Sequence, residues 1–260
     1  MKNRFLTLTS GLLLAGLTSP TLASGETVPA PPGPVAPGKG VLPAGPFKME
    51  AQVMVEGWKV NMHPALWEKE REATATALRL LQVQLAEIVR VVPAPAVAKL
   101  REVPLWFSPQ YPGTNGEAEY HPDAGWLRGH GRDPAMAKGV EFSNISRFAQ
   151  EMERMPNFAL HELAHAFHDR VLTFTQPEIL AAFASAKAAG TYDRVARYHG
   201  HGRLGTVEKA YAMADAKEYF AEGTEAFFSR NDYFPFTRSE LEAHDPGLAA
   251  LLGRLWGGTF

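Results

Sequence analysis

The chain has 260 residues, 45% of them hydrophobic and 21% charged, with no cysteine and a formal net charge of −2. This profile fits one soluble globular domain with material for a core, and it excludes a disulfide framework, a thiolate ligand and a cysteine nucleophile. With no basic excess and no run of Lys and Arg there is nothing to neutralise phosphates, so nucleic acid is not an expected partner.

Lys2 and Arg4 precede an apolar stretch over residues 5–17, and Thr21-Leu22-Ala23 offers small residues to a signal peptidase, so residues 1–23 read as an export signal. Thr7, Thr9, Ser10 and Gly11 interrupt the stretch, and it is shorter than the roughly 20 residues a spanning helix needs. Once the signal is removed, no integral membrane segment is expected, and the product is expected to be secreted or periplasmic and monomeric. Residues 24–46 are dominated by Pro, Ala and Gly (Val28-Pro29-Ala30-Pro31-Pro32-Gly33-Pro34), a composition that favours an extended linker without a core. A single folded domain is expected over residues 47–260.

That domain should open with a hairpin, strands at 48–55 and 58–62 flanking Glu56-Gly57. Pro64 then precedes a long helical pattern in which Leu66, Ala73, Ala77, Leu80, Leu81, Leu85, Ile88 and Val89 recur at three- and four-residue spacing until Pro93. Its polar face, from Glu68 to Glu72, reads as solvated surface. A short strand is expected at 103–107, and residues 110–134, rich in Gly, Pro, Asp and His, read as a long loop. There Gly125-Trp126-Leu127 and His130 are candidates for a cleft wall or for plain structure. A strand at 139–145 and helices at about 156–171, 177–189, 216–230 and 246–256 complete the series.

His161-Glu162-Leu163-Ala164-His165 matches the helical H-E-x-x-H pattern, in which two imidazoles one turn apart chelate a zinc ion. Four residues rotate a helix by about 400°, so the two rings nearly superimpose in projection. Glu162 falls beside the metal, where it can act as general base. Pro156 is placed to open the helix, and Phe158, Leu160, Leu163, Ala164 and Phe167 give it an apolar face. A catalytic zinc needs a third protein ligand. His168 shares the face but lies about 10 Å along the axis from His161, too far to join the same ion, and reads as a supporting or structural residue.

A better source is the stretch from Asp215 to Phe228, where Glu218, Glu222 and Glu225 follow i, i+4, i+7 on one helical face. Stacked carboxylates repel unless exposed or near a cation. Phe220, Ala221, Phe227 and Phe228 show that the helix is buried. Here the sequence resembles the glutamate-ligand zincins, in particular the catalytic domain of the anthrax lethal-factor-like peptidases, whose second helix reads E-F-F-A-E. The matching residues are Glu218-Tyr219-Phe220-Ala221-Glu222, and the likeness covers roughly residues 156–232. The resemblance implies an α+β zincin-like fold, a small mixed sheet packed on helices that include the H-E-x-x-H helix and a glutamate-ligand helix. It implies one zinc ion per chain held by His161, His165 and Glu218, with Glu222 orienting a ligand histidine from behind. It also places Tyr211, seven residues before Glu218, at the metal as oxyanion stabiliser.

The function expected is peptide-bond hydrolysis on a peptide or protein substrate, with Val140 to Asn144 as the sheet edge that pairs with it. The alternative is a non-catalytic exported binding module whose zinc is structural and closed by a fourth ligand such as His168 or His199. His199 and His201, in the Gly-rich turn Arg197-Tyr198-His199-Gly200-His201-Gly202, read as a surface loop, and the aromatic run at 233–236 as a cap on the core.

Overall fold

The hairpin forms where the alternation places it. In the computed structural model, which describes residues 52–258, β1 (Gln52–Val55) pairs antiparallel with β2 (Trp58–Met62). Glu56 and Gly57 between them have φ of 50° and 93°, and two successive residues at positive φ give the turn whose twist suits a two-residue hairpin. The export signal at 1–23, the Pro-rich segment at 24–46 and the expected domain start at 47 lie outside the described residues.

The long helical pattern divides in two. α1 (Pro64–Lys69) ends at Glu70, whose φ of −131° breaks the helix, and α2 (Arg71–Val91) continues along a new axis. The buried Thr74 hydroxyl donates to the carbonyl of Leu66 and so ties the two pieces together. α2 buries Ala77, Leu81, Leu85 and Ile88 of the expected stripe together with Leu78, while Ala73 and Leu80 are half-buried and Val89 is exposed. Pro93 then leads into α3 (Ala94–Leu100), an element not read from the sequence.

β3 (Leu105–Phe107) follows, and the expected loop at 110–134 contains two elements, β4 (Ala118–Tyr120) and α4 (Ala124–Gly129). A three-residue strand is too short to show alternation, which is why composition masked it. β5 (Val140–Phe142) completes a mixed sheet of order β1-β2-β3-β5-β4, with β2, β3 and β5 parallel and both outer pairings antiparallel. β5 is therefore interior, and the expectation that residues 140–144 form the free edge is corrected: β4 is the edge.

One face of this sheet carries Val60, Leu105, Phe107, Val140 and Phe142 into the core. α5 (Phe148–Arg154) leads into α6 (Phe158–Phe167), in which every side chain but Glu162 is buried. Asn157 caps α6, its Oδ1 accepting from Leu160 N–H while its Nδ2 donates to the Gln84 carbonyl of α2. A π-helical turn over His168–Leu172 ends that segment. The remaining elements are α7 (Pro177–Ala189), a small hairpin of β6 (Val195–Arg197) and β7 (Thr206–Glu208), α8 (Ala216–Phe228), α9 (Arg238–His244) and α10 (Pro246–Trp256). The architecture is α+β, a five-stranded mixed sheet and a two-stranded sheet packed with about ten helices. Among the described residues no helix is long and apolar enough to cross a membrane.

α6 and α8 lie against each other and α10 closes over them. A Cβ on Gly223 of α8 would stand 2.7 Å from Leu248 Cδ2, so this position lets α10 approach. Trp256 stacks on Phe167 with centroids 4.1 Å apart and donates its indole N–H to Thr224 Oγ1 at 3.2 Å.

His168 sits in this apolar region, with Phe174 and Phe220 rings at 5.1 and 4.9 Å and neither ring nitrogen hydrogen-bonded. Burial first, then the charge of His165, pushes its pKa down to about 4. The unfolded chain, with an ordinary histidine near 6.5, therefore binds more protons between those values, and the contribution is full above about pH 6.5 and lost towards pH 4. His168→Leu is expected to flatten the fall in urea stability across that window by on the order of 3 kcal/mol, measured with chelator present in both proteins.

Candidate metal centre

Asp215 starts α8 by accepting, through Oδ1, hydrogen bonds from the backbone N–H groups of Lys217 and Glu218. That cap sets the phase of the helix and turns Glu218, Glu222 and Glu225 towards α6. The consequence is a convergence of three atoms. His161 Nε2 and His165 Nε2 stand 3.1 Å apart, and Glu218 Oε2 lies 3.2 Å from the first and 3.3 Å from the second. Three donors bonded at about 2.0 Å to a tetrahedral ion are separated by about 3.3 Å, so the triangle has the size of one face of such a site. Glu218 Oε2 is buried and makes no hydrogen bond of normal geometry, an acceptor left to a cation. Two imidazoles and a carboxylate suit zinc or another borderline divalent ion.

The electrostatics of the triangle favour positive charge. Burial alone raises Glu218, yet the two imidazoles beside it outweigh that and hold its carboxyl well below the usual carboxylate range. Burial would lower His161, but the Glu225 and Glu218 carboxylates raise it well above an ordinary histidine. Glu162 is pushed up by burial, with the neighbouring histidines pulling the other way. One of its oxygens, Oε2, accepts the Tyr120 backbone N–H at 2.8 Å, which fastens the carboxylate to the edge strand β4.

The carboxylate behind the histidine is Glu225, not Glu222. His161 Nδ1 meets Glu225 Oε1 at 2.6 Å, the contact that fixes a ligand ring and its tautomer in metal sites. Glu225 shares the helical face seen in the sequence, and its spacing of seven from Glu218 puts the two carboxylates on opposite sides of one imidazole. Glu222 Oε2 instead accepts from Asn231 Nδ2 at 3.0 Å. Burial, reinforced by Asp232 and Glu225, raises Glu222 well above its ordinary value. His168 is remote from the triangle's polar atoms in the apolar setting described above, and His199 bonds Thr206 Oγ1 at 2.8 Å in the β6–β7 hairpin. Neither joins the cluster, so among the described His, Asp and Glu side chains three converge there, while His161 also groups with Glu222 and Glu225.

All three donors line a cleft of about 630 Å³, together with Glu162, Tyr211, Glu222 and the β4 segment 115–120. Tyr211 is 51% exposed on this wall. Burial, then the Glu218 charge, raises its phenol above the ordinary value, so it is a hydrogen-bond donor at neutral pH. The far wall holds a feature not read from the sequence: buried Asp232 Oδ2 accepts from Arg154 Nη1 at 2.6 Å and Arg197 Nε at 3.2 Å. These partners lie 78 and 35 residues from Asp232, and no local pattern links them. Trp126 and His130 belong to α4 and its cap on the outer side of the sheet and do not line the cleft. Phe236 is buried as a core cap requires, whereas Tyr233, also buried, lines the cleft.

Comparison with protein-family models, with curated proteins and with solved structures finds no match for this chain.

Two substitutions separate the roles of the carboxylates. Glu218→Ala should abolish stoichiometric metal binding, whereas Glu225→Gln should weaken it by about 10–100-fold. Zinc titration of the full chain against a chelating indicator measures both; equal affinity in parent and Glu218→Ala would remove Glu218 from the site.

Proposed function

We propose that the chain is an exported, zincin-like, zinc-dependent metallopeptidase that hydrolyses peptide bonds in a peptide or protein substrate. The observation that carries the reading is the triangle of His161, His165 and Glu218 opening onto a cleft beside Glu162. Three donors without a fourth leave room for water or substrate, which favours a catalytic over a closed structural zinc.

Bound there, zinc would lower the pKa of a water molecule and polarise the scissile carbonyl. The protein's own groups do the rest. Glu162, held through Oε2 by the β4 backbone, takes a proton with its carboxylate and delivers it to the leaving amine. Tyr211 donates its phenolic hydrogen to the oxyanion that develops on the substrate carbonyl.

Substrate is aligned by β4. His121 N–H donates to the Gly139 carbonyl and Ser143 N–H to the Glu117 carbonyl, so Glu117 and His121 face β5. Ala118 and Tyr120 therefore turn their backbone groups towards the cleft, and the Tyr120 N–H on Glu162 reports that direction. An extended peptide laid on this edge gains main-chain hydrogen bonds next to the donors.

Glu162→Gln is expected to bind zinc as the parent does and to lose peptide turnover by at least about a thousandfold; full activity in this variant would sink the assignment of the base. Tyr211→Phe should lower kcat by about 10²-fold with KM and zinc content little changed, read by steady-state cleavage of a fluorogenic peptide library.

A further inference from the structure

The far wall of the metal cleft presents donors and keeps its acceptors behind them. Asp232 Oδ2 takes both Arg154 Nη1 and Arg197 Nε, and the Asp232 side chain is 1% exposed where those of Arg154 and Arg197 are 28% and 26% exposed. Glu151 accepts Arg147 Nη2 at 3.0 Å on one oxygen and Arg154 Nη2 at 3.1 Å on the other, so both are engaged. Arg147, at 41%, is the most exposed of the three guanidiniums, and all three line the cleft. A guanidinium carries five N–H donors. Arg147 gives one to these carboxylates, and Arg197 gives one to Asp232 and a long one of 3.5 Å to Glu208, so donors remain for a ligand.

The direction of β4 decides which part of a substrate meets this wall. Tyr120, at the C-terminal end of the strand, holds Glu162. Gly116, ahead of the strand, lies against Asn144, and a Cβ there would stand 2.8 Å from Asn144 Cα. Asn144 leads through the turn Ile145–Arg147 into α5, which carries Glu151 and Arg154. The edge followed from Tyr120 back to Gly116 therefore passes from the proposed base to the guanidiniums. Antiparallel pairing is the more stable per residue, and it lays a peptide from N- to C-terminus in that same direction. The residues after the scissile bond then run along the arginine wall.

We propose that this wall is the subsite for the substrate residue one or two positions after the scissile bond, and that Arg154 and Arg197 select a carboxylate there, either an Asp or Glu side chain or the free C-terminus. The inference rests on the metallopeptidase reading and gives it a substrate class. A guanidinium fork matches carboxylate geometry, and Asp232 holds two such forks in place, so binding orders little that is not already fixed. Arg197 is braced further by the Tyr233 ring, whose centroid lies 4.5 Å from Cζ. The Tyr233 phenol, pushed up to about 12 chiefly by burial, lines the same cleft as a donor at neutral pH. Lys or Arg at that substrate position would meet like charge and be rejected.

Three dipeptides capped with a malonyl hydroxamate, which anchors on zinc and leaves the peptide to extend past the scissile position, test this on the zinc-loaded full chain: Leu-Gln amide, Leu-Glu amide, and Leu-Gln with a free C-terminal carboxylate. Calorimetric titration is expected to give one or both carboxylate probes a Kd about tenfold below that of Leu-Gln amide. The tighter of the two identifies the source as an acidic side chain or a chain end. Arg197→Gln should erase that ratio with zinc content unchanged. Arg197→Lys keeps a cation beside Asp232, so it tests the fork where the neutral variant folds poorly, and it should retain a ratio of no more than about threefold. Equal affinity for all three probes in the parent, or a preference that survives both variants, would overturn the proposal and leave the metallopeptidase reading standing. If no probe binds the zinc-loaded chain, both are overturned.

Discussion

The contact between α6 and α8 is the constraint on which the rest of this molecule depends. His161 is gripped from both sides by one helix, with Glu218 facing Nε2 and Glu225 bound to Nδ1. Two carboxylates seven residues apart can do this only if α8 runs at a fixed phase and distance from α6. The Asp215 cap fixes the phase, and Gly223 with the Trp256 stack fixes the distance by letting α10 clamp the pair. Burying Glu222, Glu225 and Asp232 so close together, with Glu218 half-buried beside them, would be prohibitive without countercharge. Arg154 and Arg197 supply it on the Asp232 side, the Asn231 amide donates to Glu222, and the His161–His165–Glu218 triangle is left as the place for a cation.

The sheet serves this pair through its edge. β4 is three residues long, yet it is fastened on every side: to β5 by the ladder, to Asp169 through the Tyr120 hydroxyl, to Glu162 through the Tyr120 amide, and to Arg132 through Glu119. A strand so short has little pairing energy of its own. These contacts hold the proposed base and the proposed substrate edge in one rigid unit.

The chain's chemistry rests on donors and distances. The triangle stands open to the cleft, because His168 and His199, the residues that would close it, are engaged elsewhere or sealed in apolar packing. The geometry also moves the supporting role from Glu222 to Glu225, an assignment that a motif read letter by letter does not reach.

What the sequence determined by itself was local. Periodicity located α2, α7, α8 and α10, the turn chemistry of Glu56-Gly57 located the hairpin, and the four-residue spacing of His161 and His165 on an apolar helix located two of the three donors. Short-range signals of this kind depend only on neighbouring residues, which the chain order supplies. Tertiary structure decided the rest. The break at Glu70, the strand hidden in Ala118–Tyr120 and the edge position of β4 rather than β5 follow from what packs or pairs against each segment. The choice between Glu222 and Glu225 behind His161, and the ties of Asp232 to Arg154 and Arg197, depend on how α8 is set against α6 and the loop beyond it. Side chains that meet across dozens of residues leave no period in the sequence, because the distance that matters to them is measured through the core.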